Sequence, residues 1–212
     1  MKQLKIAPSI LSKLDDLDTT IQNLNNLDIA AIHMDVMDGK FVTNKTFDYE
    51  LIKRIKTEKA IDTHLMIENP LDVIEQYLSC SDIVTFHLEA VKDDDLITFL
   101  KNKPKNKKIG LSIKPNTDVL ELVPYLKDLD LVLVMSVEPG KGGQSFMESS
   151  LPKIKFLNDY RKQNHLSYII EVDGGINNVT SKLVKDAGVD MIVVGTYFFK
   201  GLDFKKTIEE LR

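Results

Sequence analysis

Short apolar runs alternate with amphipathic segments along the chain, and this alternation constrains the fold more than any other feature. Eight runs rich in β-branched residues predict strands at residues 4–10, 29–36, 60–67, 83–88, 108–113, 131–137, 168–172 and 191–194. Segments of helical period follow them at residues 14–27, 49–56, 71–78, 94–101, 119–126, 151–163, 179–187 and 204–211. The chain is therefore expected to consist of eight successive βα units.

Eight such units predict a closed (β/α)8 TIM barrel, because parallel strands joined by crossover helices close naturally at this number. An open doubly wound sheet is the alternative fold. The chain has 212 residues, of which 43% are hydrophobic, and this favours one domain over residues 1–212. In a barrel the carboxyl ends of all strands share one face, and active sites of this fold lie there.

Charge and cysteine content narrow the class of protein. A formal net charge of -4 argues against nucleic acid or a membrane surface as a partner. Cys80 is the single cysteine, so an intrachain disulfide is impossible. The first residues also lack the long apolar segment of a signal peptide, and a cytoplasmic location is expected.

Histidine and aspartate side chains gather at the ends of three predicted strands. His33 and Asp35 are two residues apart, so they share one face of their strand; His64 lies in the third strand, and Asp173 directly follows the seventh. This set predicts a site for one divalent ion, namely zinc, iron, manganese or cobalt. The absence of thiolates argues against a structural zinc site. The alternative is that these are ordinary polar residues of the barrel rim.

The two aspartates also suggest proton transfer. Strands two and seven lie on different sides of an eight-stranded ring, so Asp35 and Asp173 could face a substrate from opposite sides. One could remove a proton that the other returns, with a metal acting as Lewis acid on a carbonyl or enediolate oxygen. The alternative is that Asp35 caps a loop and Asp173 begins a turn.

Glycines follow the last three predicted strands and predict a phosphate site. Glycine lets the backbone direct several N–H groups at one anion, and barrels often bind phosphate near strands seven and eight. Lys141 could bring an ammonium group to the phosphate or could point into solvent. The expected phosphate-lining residues are Gly140, Lys141, Gly142, Gly143, Gly174, Gly175, Gly195 and Thr196.

Further candidates lie near the same strand ends. Met37, Met66 and Met135 are expected to form an uncharged wall that excludes water, or merely to fill the barrel mouth. Ser9 could donate a hydrogen bond to a substrate oxygen or to a local backbone group. His87 ends the fourth strand but has no polar companion recognisable in the sequence.

Taken together, these motifs resemble the ribulose-phosphate 3-epimerase family. The resemblance rests on residues 7–11, 33–39, 64–66, 137–140, 142–146 and 171–176, in that order along the chain. It implies a barrel that interconverts D-ribulose 5-phosphate and D-xylulose 5-phosphate, with Asp35 as proton acceptor and Asp173 as proton donor. It further implies that both aspartates bind the metal with His33 and His64, that Ser9 and His64 contact a phosphorylated ketose, and that the protein is a homo-oligomer.

The sequence departs from the family pattern at three positions. Lys141 replaces the usual aromatic residue, Thr196 replaces serine, and Thr43 replaces proline. The Gly195–Thr196 pair also resembles the related allulose-6-phosphate 3-epimerases, so a ketose one carbon longer is an alternative substrate. A non-catalytic phosphate-binding or metal-binding barrel is the alternative from another functional class. The alternating Asp-x-Lys-x-x-Asp array of an orotidine-phosphate type decarboxylase is missing.

Overall fold

A closed ring of eight parallel strands forms the centre of the computed structural model, which describes residues 3–212. The sheet runs in the order β1-β8-β7-β6-β5-β4-β3-β2, and a parallel bridge between Ser9 and His33 joins β1 to β2. The predicted (β/α)8 barrel is thus confirmed, and the open doubly wound sheet is wrong. Residues 1 and 2 of the predicted domain lie outside the described residues. The strands are β1 Lys5–Pro8, β2 Ala31–Met37, β3 Ala60–Met66, β4 Ile83–His87, β5 Lys108–Ile113, β6 Leu131–Met135, β7 Ile169–Asp173 and β8 Met191–Val194.

Helices surround the strands, with departures from the prediction at residues 119–126 and after β8. The segment at residues 119–126 forms two 3₁₀ turns, Val119–Leu122 and Leu126–Asp128, instead of an α-helix. Pro124 lies between them, and its ring lacks an N–H and clashes with the carbonyl four residues earlier. A short helix after β8 was not predicted. The helices are α1 Leu17–Asn25, α2 Tyr49–Arg54, α3 Ile74–Leu78, α4 Asp93–Asn102, α5 Ser150–Gln163, α6 Thr180–Ala187, α7 Thr196–Lys200 and α8 Phe204–Leu211. None of these helices is long and apolar enough to cross a bilayer.

Two apolar clusters hold the barrel together and leave one end of it polar. The larger cluster packs the outward faces of the strands against the helices, whereas the smaller one fills part of the barrel interior with residues such as Leu131, Leu133 and Met191. Because side chains alternate along a strand, every second residue points inward. On β2, β3, β4 and β7 several of these inward residues are buried and polar, namely His33, Asp35, Asp62, His64, His87 and Glu171.

Candidate active site

Strand register brings the predicted metal ligands into one layer of the barrel. On the neighbouring strands β2 and β3, His33 pairs with Asp62, Asp35 with His64, and Met37 with Met66. Asp173 reaches the same layer from β7, across the ring. Ligand atoms of His33, Asp35, His64 and Asp173 all lie within 4.8 Å of one another. The structure therefore brings together all four residues that the sequence suggested as ligands.

Two imidazole nitrogens in this layer face the same carboxylate oxygen. His33 Nε2 lies 3.5 Å from Asp35 Oδ1, and His64 Nδ1 lies 3.4 Å from that oxygen. Both nitrogens are buried and lack a hydrogen-bond partner. A divalent cation among these atoms would satisfy them, so the donor set fits a metal site. The set accepts several metals, and it does not distinguish among them.

The pKa values of the two aspartates in the cluster are shifted in opposite directions. Burial opposes ionisation of Asp35, but the His33 and His64 side chains outweigh it and lower the pKa of this carboxyl. Burial, reinforced by the negative charge of Asp35, raises the pKa of Asp173 to about 7. Near neutral pH one carboxylate is thus ionised while its neighbour retains a proton for part of the time.

A second pair of carboxyl groups lies beneath this layer and was not singled out from the sequence. Asp62 Oδ2 is 2.7 Å from His33 Nδ1 and so holds the ring from behind. Glu171 is fully buried, and burial together with the charge of Asp62 raises its pKa well above the usual range. Asp62 and Glu171 each precede a predicted ligand by two residues, so the period of the strands could have identified them.

His87 has two polar companions in the structure. Its Nε2 lies 2.9 Å from His64 Nε2, and its Nδ1 lies 3.2 Å from Glu89 Oε2. Burial lowers the pKa of His87 to about 4, which keeps the ring neutral. Glu89 lies in the 3₁₀ turn Leu88–Ala90 just after the strand, so strand alternation does not identify it, and its only signal was its closeness to His87 in the sequence.

A cavity of about 520 Å³ opens above the cluster, a size that suits a small phosphorylated sugar. Asp35 and Asp173 lie at its base, while His33 and His64 are fully buried beneath it. Ser9 donates a 2.6 Å hydrogen bond to Asp35 Oδ2, a partner that the sequence did not suggest. The other predicted substrate-contacting residues that line the cavity are Met37, Met66, Met135, Gly140, Lys141, Gly142, Gly143, Gly174, Gly175, Gly195 and Thr196.

The glycine segments after β6, β7 and β8 converge at one end of this cavity. A Cβ atom on Gly142 or Gly143 would lie 3.8 Å from Thr196 Oγ1. Gly174 and Gly175 adopt φ values of 118° and 64°, which favour glycine. Lys200 of α7 also lines the cavity and was not predicted. Backbone N–H groups and two lysines are thus available here for an anion.

The chain matches known proteins over nearly its whole length. Residues 5–199 match the model of the ribulose-phosphate 3 epimerase family. The chain is 40% identical to ribulose-phosphate 3-epimerase of Treponema pallidum (strain Nichols), over 94% of this chain and 93% of the relative. It is 38% identical to the Bacillus subtilis (strain 168) enzyme of that name, over 99% and 98%. The solved orotidine 5'-phosphate decarboxylase of Pyrococcus horikoshii OT3 covers 97% of this chain and 96% of its own, with a TM-score of 0.66 and 14% identity, a likeness in fold alone.

Proposed function

This chain belongs to the ribulose-phosphate 3-epimerase family, and on that premise we propose that it interconverts D-ribulose 5-phosphate and D-xylulose 5-phosphate. The observation that carries the proposal is the cluster of His33, Asp35, His64 and Asp173 at the base of the cavity. An epimerase needs two proton-transferring groups that reach one carbon from different sides. The positions of Asp35 on β2 and Asp173 on β7 are consistent with that requirement and support the proposal.

In the proposed reaction Asp35 removes the proton from C3 of the ketose. Its carboxylate is ionised, and the 2.6 Å hydrogen bond from Ser9 holds one oxygen so that the other faces the layer of ligands. The C3–H electron pair moves into the substrate and yields an enediolate. Asp173, whose pKa is raised to about 7, delivers a proton to the opposite face of C3. The reverse reaction exchanges the two roles.

His33, Asp35, His64 and Asp173 would hold one divalent metal ion, which we propose as the cofactor. A bound cation supplies Lewis acidity that lowers the free energy of negative charge on the substrate oxygens. It would also lower the pKa of both aspartates, so the mechanism uses the order of the two values rather than their magnitudes. Asp62 supports ligation because its carboxylate orients His33 from behind.

The rest of the cavity would bind and shield the substrate. Met37, Met66 and Met135 are buried beside the aspartates, and uncharged side chains there exclude water without offering a competing base. The glycine segments and Thr196 would bind the phosphate. We also propose a cytoplasmic, homo-oligomeric enzyme without nucleic acid or membrane partners, as the composition and the family resemblance suggested.

Turnover in deuterated solvent tests the proposed function. The wild type should incorporate one solvent deuterium at C3 of the product, visible as the loss of that proton signal in NMR spectra. Asp35→Asn and Asp173→Asn should each lower kcat by about 10²- to 10⁴-fold. The matched control is Glu138→Gln, an exposed carboxylate at the same cavity. Near-full turnover by either aspartate variant would end the two-base mechanism.

Two further measurements separate the alternatives. Removal of the metal by a chelator should inactivate the wild type, and full activity of the metal-free protein would contradict the proposed cofactor. Comparing kcat/KM for ribulose 5-phosphate with that for allulose 6-phosphate identifies the substrate length. A non-catalytic barrel would exchange no substrate hydrogen with solvent at all.

A further inference from the structure

His64 contacts two different polar systems through its two ring nitrogens. Nδ1 lies 3.4 Å from Asp35 Oδ1, on the side of the proposed metal position. Nε2 faces the opposite way and lies 2.9 Å from His87 Nε2. A neutral imidazole carries one proton and one free lone pair. To bind a cation through Nδ1, the His64 ring must carry its proton on Nε2.

The contacts of His87 select that same proton arrangement. If His64 donates its Nε2 proton to His87 Nε2, then His87 carries its own proton on Nδ1. His87 Nδ1 then donates a hydrogen bond to Oε2 of the ionised Glu89 carboxylate, 3.2 Å away. The reversed arrangement would place the lone pair of His87 Nδ1 against the carboxylate, which is repulsive. One set of protons therefore satisfies both contacts.

Glu89 is in turn held by the loop after β5. Its Oε1 accepts a 2.7 Å hydrogen bond from the backbone N–H of Lys114 and another from the Thr117 hydroxyl. Lys153 Nζ donates to the carbonyls of Pro115 at 2.6 Å and of Thr117 at 2.5 Å, which ties this loop to α5. The carboxylate that accepts the hydrogen bond from His87 is thus anchored by residues outside the barrel interior.

An aromatic side chain covers the His87 end of the histidine pair. The Phe41 ring lies over His87 with 4.8 Å between ring centroids, and the Lys114 ammonium lies 3.9 Å from the centroid of Phe41. His64 and His87 are both fully buried. Hydrogen bonds in such a water-poor place are stronger and more directional than in solvent.

We propose that His87 and Glu89 are positioning residues for His64: together they hold its ring in the tautomer that presents the Nδ1 lone pair to the metal. This inference rests on the metal site proposed above. His87 and Glu89 do not touch the substrate position, so they act through His64 alone. The structural likeness to His33 is direct, because Asp62 holds that ring in the corresponding way.

Metal affinity measures the proposed effect without reference to turnover. We would titrate metal-free protein with Zn²⁺ against a chromophoric chelator, for the wild type, Glu89→Ala and His87→Phe. Loss of an outer partner of a ligating histidine weakens metal binding by about 10- to 100-fold. Ser112→Ala is the control, because Ser112 pairs with His87 in the sheet and its buried hydroxyl has no hydrogen-bond partner. It should keep the wild-type affinity.

A spectroscopic measurement reports the tautomer itself. Long-range ¹H–¹⁵N correlation spectra of the Zn²⁺-loaded wild type should show His64 protonated on Nε2 and His87 on Nδ1, and Glu89→Ala should show His87 with both tautomers. Saturating metal should restore much of the turnover of Glu89→Ala but none of that of Asp173→Asn. His87→Phe removes a buried polar ring and could fail to fold, whereas the Glu89 side chain is partly exposed, so Glu89→Ala keeps the test decisive.

The outcomes separate this inference from the function on which it rests. If the wild type binds Zn²⁺ and Glu89→Ala binds it equally well, the positioning role is wrong and the metal site stands. If His64 is protonated on Nδ1 in the loaded protein, the tautomer argument is wrong. If the wild type binds no divalent metal, both the cofactor proposal and this inference are overturned.

Discussion

Replacing Gly175 by alanine tests how the phosphate end of the cavity is built. Gly175 adopts φ of 64°, and a Cβ atom there would lie 2.4 Å from the backbone nitrogen of Phe146 and 2.6 Å from its Cα. An ordinary contact begins at 3.4 Å, so the segment carrying Phe146 would have to move by about 1 Å. That segment follows the glycines after β6, which we propose as part of the phosphate site.

Two effects of this substitution can be estimated. The left-handed conformation costs a residue with a Cβ about 1–2 kcal/mol, which corresponds to a Tm lower by about 2–8 °C for a domain of this size. Displacement of the loop by about 1 Å should lower kcat/KM by up to about 10²-fold, mainly through KM. The steric contact adds to the loss of stability, so the Tm range is a lower bound.

Thermal unfolding and steady-state kinetics with ribulose 5-phosphate measure the two effects. Gly142→Ala is the control for stability, since its Cβ would meet only Thr196 Oγ1 at 3.8 Å and its φ is not positive. Its Tm should stay within about 2 °C of the wild type. A Gly175→Ala protein with the wild-type Tm and KM would refute the reasoning, because the added Cβ would then be accommodated without movement.

Two other substitutions probe a charge and a buried hydroxyl. Lys141→Phe, which restores the aromatic type usual in the family, should raise KM for the phosphorylated substrate more than it lowers kcat, and the effect should shrink as salt screens the charge. An unchanged KM at low salt would assign Lys141 to solvent. Tyr168 donates a 2.7 Å hydrogen bond to the Leu157 carbonyl, and burial raises its pKa to about 12. The unfolded value is near 10, so the folded state retains this proton longer and stability falls as pH rises above about 10. Tyr168→Phe should be about 1 kcal/mol less stable at pH 8 and should show a weaker decline in urea unfolding up to about pH 11. Parallel stability curves would contradict the assignment.

Local patterns were sufficient for much of the fold and for the layer of candidate metal ligands. The alternation of eight apolar runs with amphipathic segments predicts a closed barrel of eight strands. Closure places the carboxyl ends of all strands on one face. The two-residue spacing of His33 and Asp35 predicts a shared face because side chains alternate along a strand. One exception was residues 119–126, where helical period was present but Pro124 removed a hydrogen bond that an α-helix needs.

Contacts between strands that are distant in sequence were not predictable in this way. Glu89 follows His87 by two residues, in the 3₁₀ turn Leu88–Ala90 just after β4. The contact between His87 and His64 depends instead on β3 and β4 being neighbours in the sheet. The strand period makes Asp62 and Glu171 inward-facing, but only the closed barrel brings their carboxyl groups together with His33.

The sequence by itself determined which residues point inward and at which end of each strand they lie, because those properties follow from the backbone period. Only the tertiary structure decided how near Asp35 and Asp173 come to each other, how far His33 and His64 lower the pKa of Asp35, and how far burial and the charge of Asp35 raise that of Asp173. Proton affinities depend on distance and desolvation, and both are properties of the closed barrel rather than of any one strand.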